Sequence, residues 1–368
     1  MALSRLLIRL GAALAAVFAA GAALFALVNA GTAGVPHDID ALATETTTSS
    51  SSTTWSTSSS TTTITSTTTT STTVPPKETL VIQGTGDVNL DPRYIPALAE
   101  HGYGYAWEAL GGLFRDDHLT VINLECAPSD LGVAEPKEFV FRCPTGSLGS
   151  LATAGVEVAS LGNNHSGDYG KEALVDGRSQ LVAAGVLPVG AGVDANEAGK
   201  PAVIEVGGWT VAVVGFGGVV PHAGWLAAED HPGMRDGDDI PSMVAAVEDA
   251  AALADIVVVS IHWGVELDTE PRPEDVERAE AMIEAGADVI FGHHAHRLQP
   301  MEMVDGAAVF WGLGNFVWPR HSVAGSTTAV ARAIVEPDGS LEACLIPAFI
   351  ENPGQPVLTG EPDCGPGR

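Results

Sequence analysis

Two packed β-sheets flanked by helices, an α/β domain, is the architecture predicted for residues 78–350. Three observations predict it. Apolar, β-branched runs alternate with helical stretches, the end of the segment turns strand-rich, and several of the runs stop at a short polar cluster.

Residues 80–84 form the first expected strand. A helix over 105–114 leads to a strand at 121–124, and a short helix over 146–153 leads to a strand at 156–161. Residues 171–184 carry Ala173, Leu174, Leu181 and Val182 at helical spacing and predict a surface helix. Runs at 202–206 and 210–215 flank Gly207-Gly208, a hairpin signal. Helices over 241–254 and 273–285 carry Pro at or near their starts, where the missing N–H matters least. Each feeds a strand, at 256–261 and 289–291. A strand at 308–311 follows, then strands at 329–335 and 341–349 around Pro337-Asp338-Gly339. The Pro- and Gly-rich stretch 351–368 reads as a tail.

The chain has 368 residues, and its N-terminal part is not globular in composition. Residues 1–30 carry Arg5 and Arg9, then a long apolar run without Asp, Glu, Lys or Arg. This is expected to be a signal anchor, or a signal peptide cut near Val28-Asn29-Ala30. The run exceeds the usual ~7–15 residues of a signal-peptide core, which favours the anchor. Residues 31–77 form a linker, nearly pure Ser and Thr over 46–73, which lacks the apolar surface to offset ordering. It is either a glycosylated stalk or a plain spacer. The folded domain is thus expected outside the cell, anchored to the membrane or secreted if the signal is cleaved. Cys126, Cys143, Cys344 and Cys364 all lie in the exported part, and nearest-neighbour disulfides are the expected pairing. The formal net charge of −29, with no basic block, excludes a nucleic-acid partner.

The polar clusters carry the chemistry. Asp87, in Gly86-Asp87-Val88-Asn89, places a carboxylate at a sheet edge, with the Asn89 amide oxygen two residues on. Glu125, in Asn123-Leu124-Glu125, is suited to bridge two cations. Asn163-Asn164-His165 offers a neutral oxygen ligand in Asn164 and a proton donor in His165, with Asp168 placed to orient the imidazole. His293-His294-Ala295-His296 puts three histidines in four residues, and an extended segment there would aim His294 and His296 to one side. His262 joins them from a neighbouring strand, with Glu266 four residues on. Asn315, between glycine-bracketed turns, is expected to line the pocket. Arg142 and Arg297 are the candidates to pair an anionic substrate. Such mixed O and N donors suit Mn, Zn or Fe.

In this order, Gly86-Asp87-Val88, Asn123-Leu124-Glu125, Asn163-Asn164-His165, His262-Trp263-Gly264-Val265-Glu266, Gly292-His293-His294-Ala295-His296 and Leu313-Gly314-Asn315-Phe316 resemble the CapA family of capsule-synthesis, or poly-γ-glutamate biosynthesis, proteins. That family is similar to calcineurin-like metallophosphoesterases, so the resemblance implies a four-layer α/β/β/α sandwich with two divalent metals. It implies Asp87 and His296 on the first metal, Glu125 bridging both, and Asn164, His262 and His294 on the second, with His165 facing substrate. It also implies an anionic envelope polymer or a phosphoester as substrate, and capsule-synthesis proteins as partners. A metal-dependent hydrolase or transferase and a non-enzymatic polymer-binding or export component both fit. The chain departs from the phosphoesterase pattern at Asn89, where that pattern has histidine, and at Glu125, where it has aspartate.

Overall fold

The computed structural model describes residues 76–360 and Cys364. The expected signal or anchor and residues 31–75 of the linker lie outside the described residues. In chain order the elements are β1 (Leu80–Val88), α1 (Pro96–His101), β2 (Leu119–Leu124), α2 (Gly149–Ala154) and β3 (Val158–Ser160). Next come α3 (Gly170–Ala183), β4 (Leu187–Val189), β5 (Ala202–Val206), β6 (Trp209–Gly217), α4 (Ile240–Ala251) and β7 (Ile256–His262). The chain continues through α5 (Pro273–Glu284), β8 (Val289–His293), β9 (Met301–Val304), β10 (Ala307–Phe310) and β11 (Asn315–Val317). It ends in β12 (Thr327–Val335), β13 (Leu341–Asn352) and β14 (Gln355–Leu358).

One sheet runs β14-β13-β12-β1-β2-β3-β4, with β11 pairing the end of β1, and the other runs β9-β10-β8-β7-β6-β5. Strands β1 to β4 are mutually parallel, as are β6, β7, β8 and β10. Parallel strands covered on both faces need apolar side chains on both, which is why β7 and β8 read as near-continuous apolar runs. Ile82, Val121 and Val158 of one sheet share a core with Val213, Val258 and Phe291 of the other. On the outer face of the first sheet, Leu151, Leu174 and Leu181 pack with Ile122 and Ala159. On the outer face of the second, Met243, Val247 and Met282 pack with Val257 and Ile290. The result is the expected four-layer α/β/β/α sandwich.

Several boundaries differ from expectation for local reasons. The helix expected over 105–114 is a single turn, Tyr105–Glu108, because Gly111 and Gly112 take positive φ and break it before the 3-10 turn Leu113–Arg115. The helix expected over 146–153 is a 3-10 turn, Thr145–Ser147, followed by α2. Strand β4 contains Pro188, which is tolerated because β4 is a sheet edge. Pairing continues past residue 351 into β14, so the first part of the expected tail belongs to the sheet. Disulfides join Cys126 to Cys143 and Cys344 to Cys364. Among the described residues no helix is long and apolar enough to cross a membrane.

Candidate metal centre and its cleft

The polar clusters meet at the carboxyl ends of the parallel strands, where α/β sheets open a crevice. Asp87 lies near the end of β1 and pairs in register with Asn315 of β11 and Asn123 of β2. The backbone of Gly86 lies so close to the Leu313 and Gly314 carbonyls that any Cβ there would overlap them. Glu125 follows β2, Asn164 follows β3, His262 ends β7 and His293 ends β8. Donor atoms of Asp87, Glu125 and His262 all lie within 4.8 Å of one another, and all three residues are buried.

The donors fall into two groups. In the first, His296 Nδ1 stands 2.9 Å from Asp87 Oδ2, yet neither atom makes an in-line hydrogen bond among the described residues. In the second, His262 Nε2 lies 3.0 Å from Asn164 Oδ1 and 3.1 Å from His294 Nδ1. Between the groups sits Glu125, whose Oε1 is 3.7 Å from His262 Nε2 and 3.8 Å from His296 Nε2. Both Glu125 oxygens lack a hydrogen-bond partner among the described residues. Two ligands at right angles on a divalent ion, each ~2.1 Å from it, stand about 3 Å apart. The short contacts in both groups have that spacing, so the donor set fits divalent metal.

The electrostatics agree with the geometry. Burial, with the charges of Asp87 and Asp168, pushes the Glu125 carboxyl well above its ordinary range. Burial alone would raise Asp87 as well, but His296, His293 and Asn123 reverse this and hold it below its usual value. Burial drives His262 well down, and drives His293 and His294 down to about 4 each. Neutral imidazoles beside unpartnered carboxylates are ligands ready for a cation.

His294 and His296 do not alternate along an extended segment, as the sequence suggested. Both take positive φ, 87° and 52°, and reach the cluster through a left-handed turn. That conformation is strained for a side chain with a Cβ, and such strain collects at functional sites.

His165 is held from behind. Its Nδ1 lies 2.7 Å from Asp168 Oδ2, its ring stacks on Phe141 at 4.1 Å, and its Nε2 is 3.9 Å from Glu125 Oε1. Lys137 Nζ donates to Asp168 Oδ1 and to the Asn164 carbonyl, both at 2.7 Å. The expected pair of His165 and Asp168 is therefore together, with Lys137 added.

Other expected residues stand differently. The Asn89 side-chain oxygen accepts the backbone N–H of Asp91 at 2.8 Å, which leaves one lone pair of that oxygen for a metal. Asn315 Nδ2 donates to the Gly325 carbonyl at 2.9 Å, while its buried Oδ1 has no partner among the described residues. Arg142 donates to the carbonyls of Asp130 and Leu131, each at 2.7 Å, and lies 3.6 Å over the Tyr169 ring. Arg297 donates to the His296 carbonyl at 2.7 Å and braces the histidine turn. Both arginines hold backbone in place, and neither lines the cleft beside the metal cluster.

That cleft, about 400 Å³, is lined by Asn89, Tyr94, Phe139, Phe141, His165, Glu266, His296, Trp318, Pro319 and His321. Glu266 is exposed on it. Sequence reasoning missed three residues. Asn123 Nδ2 bonds Asp87 Oδ1 at 2.8 Å and lies 3.2 Å from His262 Nδ1. His293 Nδ1, without a hydrogen-bond partner among the described residues, lies 3.7 Å from Asp87 Oδ1. Both sit inside motifs already visible in the sequence, whereas Lys137 has no signal there.

Residues 81–320 match the family model described as bacterial capsule synthesis protein PGA_cap. The chain is 35% identical over 185 residues to the PGA biosynthesis protein CapA of Bacillus subtilis, covering 50% of this chain and 48% of that protein. It is 32% identical over 217 residues to the capsule biosynthesis protein CapA of Bacillus anthracis, covering 58% of this chain and 53% of that protein. It thus spans about half the length of these two relatives. A probable polyglutamine synthesis accessory protein of Mycobacterium tuberculosis is 32% identical over 268 residues, covering 68% of this chain and 69% of that one. Among solved structures, Haemophilus influenzae NAD nucleotidase is similar over 79% of this chain and 54% of its own, at 11% identity and a TM-score of 0.43. The 5'-nucleotidase of Candida albicans is similar over 75% and 54%, at 13% identity and a TM-score of 0.46.

Proposed function

The chain belongs to the bacterial capsule synthesis protein family, and from that premise we propose that it is an exported, metal-dependent hydrolase or transferase of envelope-polymer biosynthesis. Its polymer would be of the poly-γ-glutamate type, and the bond it acts on an anionic ester or amide. The observation that carries this reading is the buried set of unpartnered oxygen and nitrogen donors around Glu125. Buried polar atoms without partners are costly, and a divalent ion would satisfy this set.

Asp87 and His296 would hold one ion, Asn164, His262 and His294 a second, with Glu125 between them. Such ions supply Lewis acidity toward an ester or amide oxygen. The protein's own part is positioning and proton transfer. Burial lowers the His165 pKa and Asp168, bound at Nδ1, opposes this, so it is the imidazolium form that would carry a proton on Nε2, toward the reacting side, to hand to a leaving oxygen or nitrogen. Phe141 covers one face of that ring and keeps water from it. Export is supported by the apolar run in residues 10–30 and by two disulfides. We infer anchorage from the length of that run. A purely polymer-binding role draws less support, because the cleft lining includes no Lys or Arg to pair a polyanion.

The test is metal content of the natively purified full-length chain beside a His294→Ala/His296→Ala variant. Divalent metal in the parent, lost in the variant, is the expected result, followed by metal-dependent turnover in a screen of esters and amides. A parent that takes up no metal, even after incubation with manganese and zinc, would sink the reading.

A further inference from the structure

Glu266 is exposed and lines the cleft beside the metal cluster. Among the described residues it is the one carboxylate in that lining, which holds no Lys or Arg. The backbone around it is pinned. The Leu267 N–H donates to the Ala295 carbonyl at 2.7 Å, inside the histidine turn, and Gln299 Nε2 donates to the Asp268 carbonyl at 3.0 Å. Leu267 takes a φ of 72°, a strained conformation that holds Glu266 at the cleft. Nearby cations are engaged elsewhere: Lys137 with Asp168 and the Asn164 carbonyl, Arg320 with the Glu351 carbonyl. Much of the remaining wall is aromatic. Phe141 stands at right angles both to Tyr94, ring centres 4.7 Å apart, and to Trp318, 5.5 Å away. This corner adjoins the reacting groups, since Phe141 stacks on His165 at 4.1 Å and Trp318 lies 4.8 Å from His296.

We propose that the cleft takes a primary alkylammonium group, paired by Glu266 and held against the aromatic corner, and that its amine is the acceptor of an acyl transfer at the metal cluster. The inference rests on the metal-centre reading and deepens it, choosing transfer over hydrolysis. Aromatic faces attract cations, and one carboxylate supplies the counter-charge. The net charge of −29 favours entry of a cation. The anionic ester or amide belongs at the metals, so the two substrates are sorted by charge. In the transfer the ammonium gives one proton to solvent, and its nitrogen bonds to the acyl carbon. The bond from that carbon to the leaving oxygen or nitrogen breaks. His165 hands its proton to the leaving group and regains one from the attacking nitrogen, so a new amide forms without a further co-reactant.

The experiment is calorimetric titration of n-butylammonium into the manganese-loaded, full-length chain, with metal content measured on the same samples. Salt at about 0.15 M screens long-range attraction to the acidic surface. Butylammonium should bind, and n-butanol, of the same shape without charge, should not displace it. Affinity should fall about five- to tenfold in Glu266→Gln and about two- to fivefold in Phe139→Leu, with metal content kept. Glu270→Gln removes an exposed carboxylate of the same loop that lies outside the lining, and should leave the affinity unchanged. An equal loss there means general attraction to acidic surface and overturns the proposal. Loss of metal from Glu266→Gln makes Glu266 a ligand and overturns it too. A metal-loaded parent that ignores butylammonium overturns it while leaving the metal centre standing, whereas a parent without metal removes both. Any ester or amide turned over by the parent should yield its N-butylamide when butylamine is present, and less of it from Glu266→Gln, by mass spectrometry. Hydrolysis products alone would overturn the acceptor role.

Discussion

At Glu125 a carboxyl sits fully buried, raised well above its ordinary pKa, with neither oxygen hydrogen-bonded among the described residues. Such a group destabilises the metal-free chain and becomes useful only when a cation arrives. Glu125→Gln is therefore expected to raise the metal-free thermal stability by about 1–3 kcal/mol while sharply weakening manganese binding. Melting curves with and without manganese check both halves; a variant that melts lower without metal contradicts the account. Away from the site, burial pushes Asp117 up to about 7, against the Thr120 hydroxyl that donates to it at 2.6 Å. The folded state binds this proton more tightly than the unfolded chain, so its contribution is full below about pH 4 and fades as pH rises toward 7. Asp117→Asn should flatten that part of the pH–stability curve, seen as a smaller fall in thermal midpoint than the parent shows. Residue types at the centre were legible, because carboxylate, amide and imidazole announced themselves at strand ends. Their geometry was not. The oxygen of Asn89 accepts a backbone N–H from two residues on, and the histidine turn depends on positive φ that no pattern of spacing reveals.

The segment between Cys126 and Cys143 shows how an element, rather than a residue, builds the site. Cys126 directly follows Glu125, and the Cys143 sulfur accepts the backbone N–H of Leu90, next to Asn89, at 3.1 Å. The enclosed loop delivers Lys137 to Asp168, and Phe139 and Phe141 to the cleft wall. The bond spans 17 residues, a loop whose closure is worth about 3 kcal/mol in the chain-entropy account. Cys126→Ser/Cys143→Ser should lower stability by about that amount in denaturant titrations. It should also weaken metal binding, since Glu125 loses its tether; a variant that loses stability but keeps full metal affinity would confine the loop to a structural role. Elements with strong periodicity, such as β7, α4 and α5, were readable from the sequence. Strands β4, β9 and β14 were not, because each is a short edge whose strand character comes from a partner rather than from its own composition. Lys137 was hidden for the same reason: only the closed loop brings it to His165.

Across the whole molecule, the candidate metal centre draws from both halves of the sandwich. Asp87, Glu125 and Asn164 come from the ends of β1, β2 and β3, whereas His262, His294 and His296 follow from β7 and β8. The two sheets otherwise meet through apolar packing, in which the Phe291 ring lies where a Cβ on Gly84 would come within 2.7 Å. Metal bound between them should act as a clasp on the entire fold, not on one loop. Binding to the folded state alone stabilises it by about 2.7 kcal/mol at a hundredfold excess over Kd, which for a domain of this size is a rise of roughly 5–10 °C. Chelation of the metal-loaded protein should therefore lower the midpoint of a single transition by that order. Tryptophans report on both sheets, Trp209 and Trp263 on one and Trp318 beside the other. Hydrogen exchange should show β1 and β8 loosening together. Added salt provides the control, because screening of the net charge of −29 should raise the midpoint of metal-loaded and metal-free forms alike. If chelation loosens only the histidine turn and leaves the midpoint unchanged, the ion does not join the sheets, and the two donor groups work as separate sites.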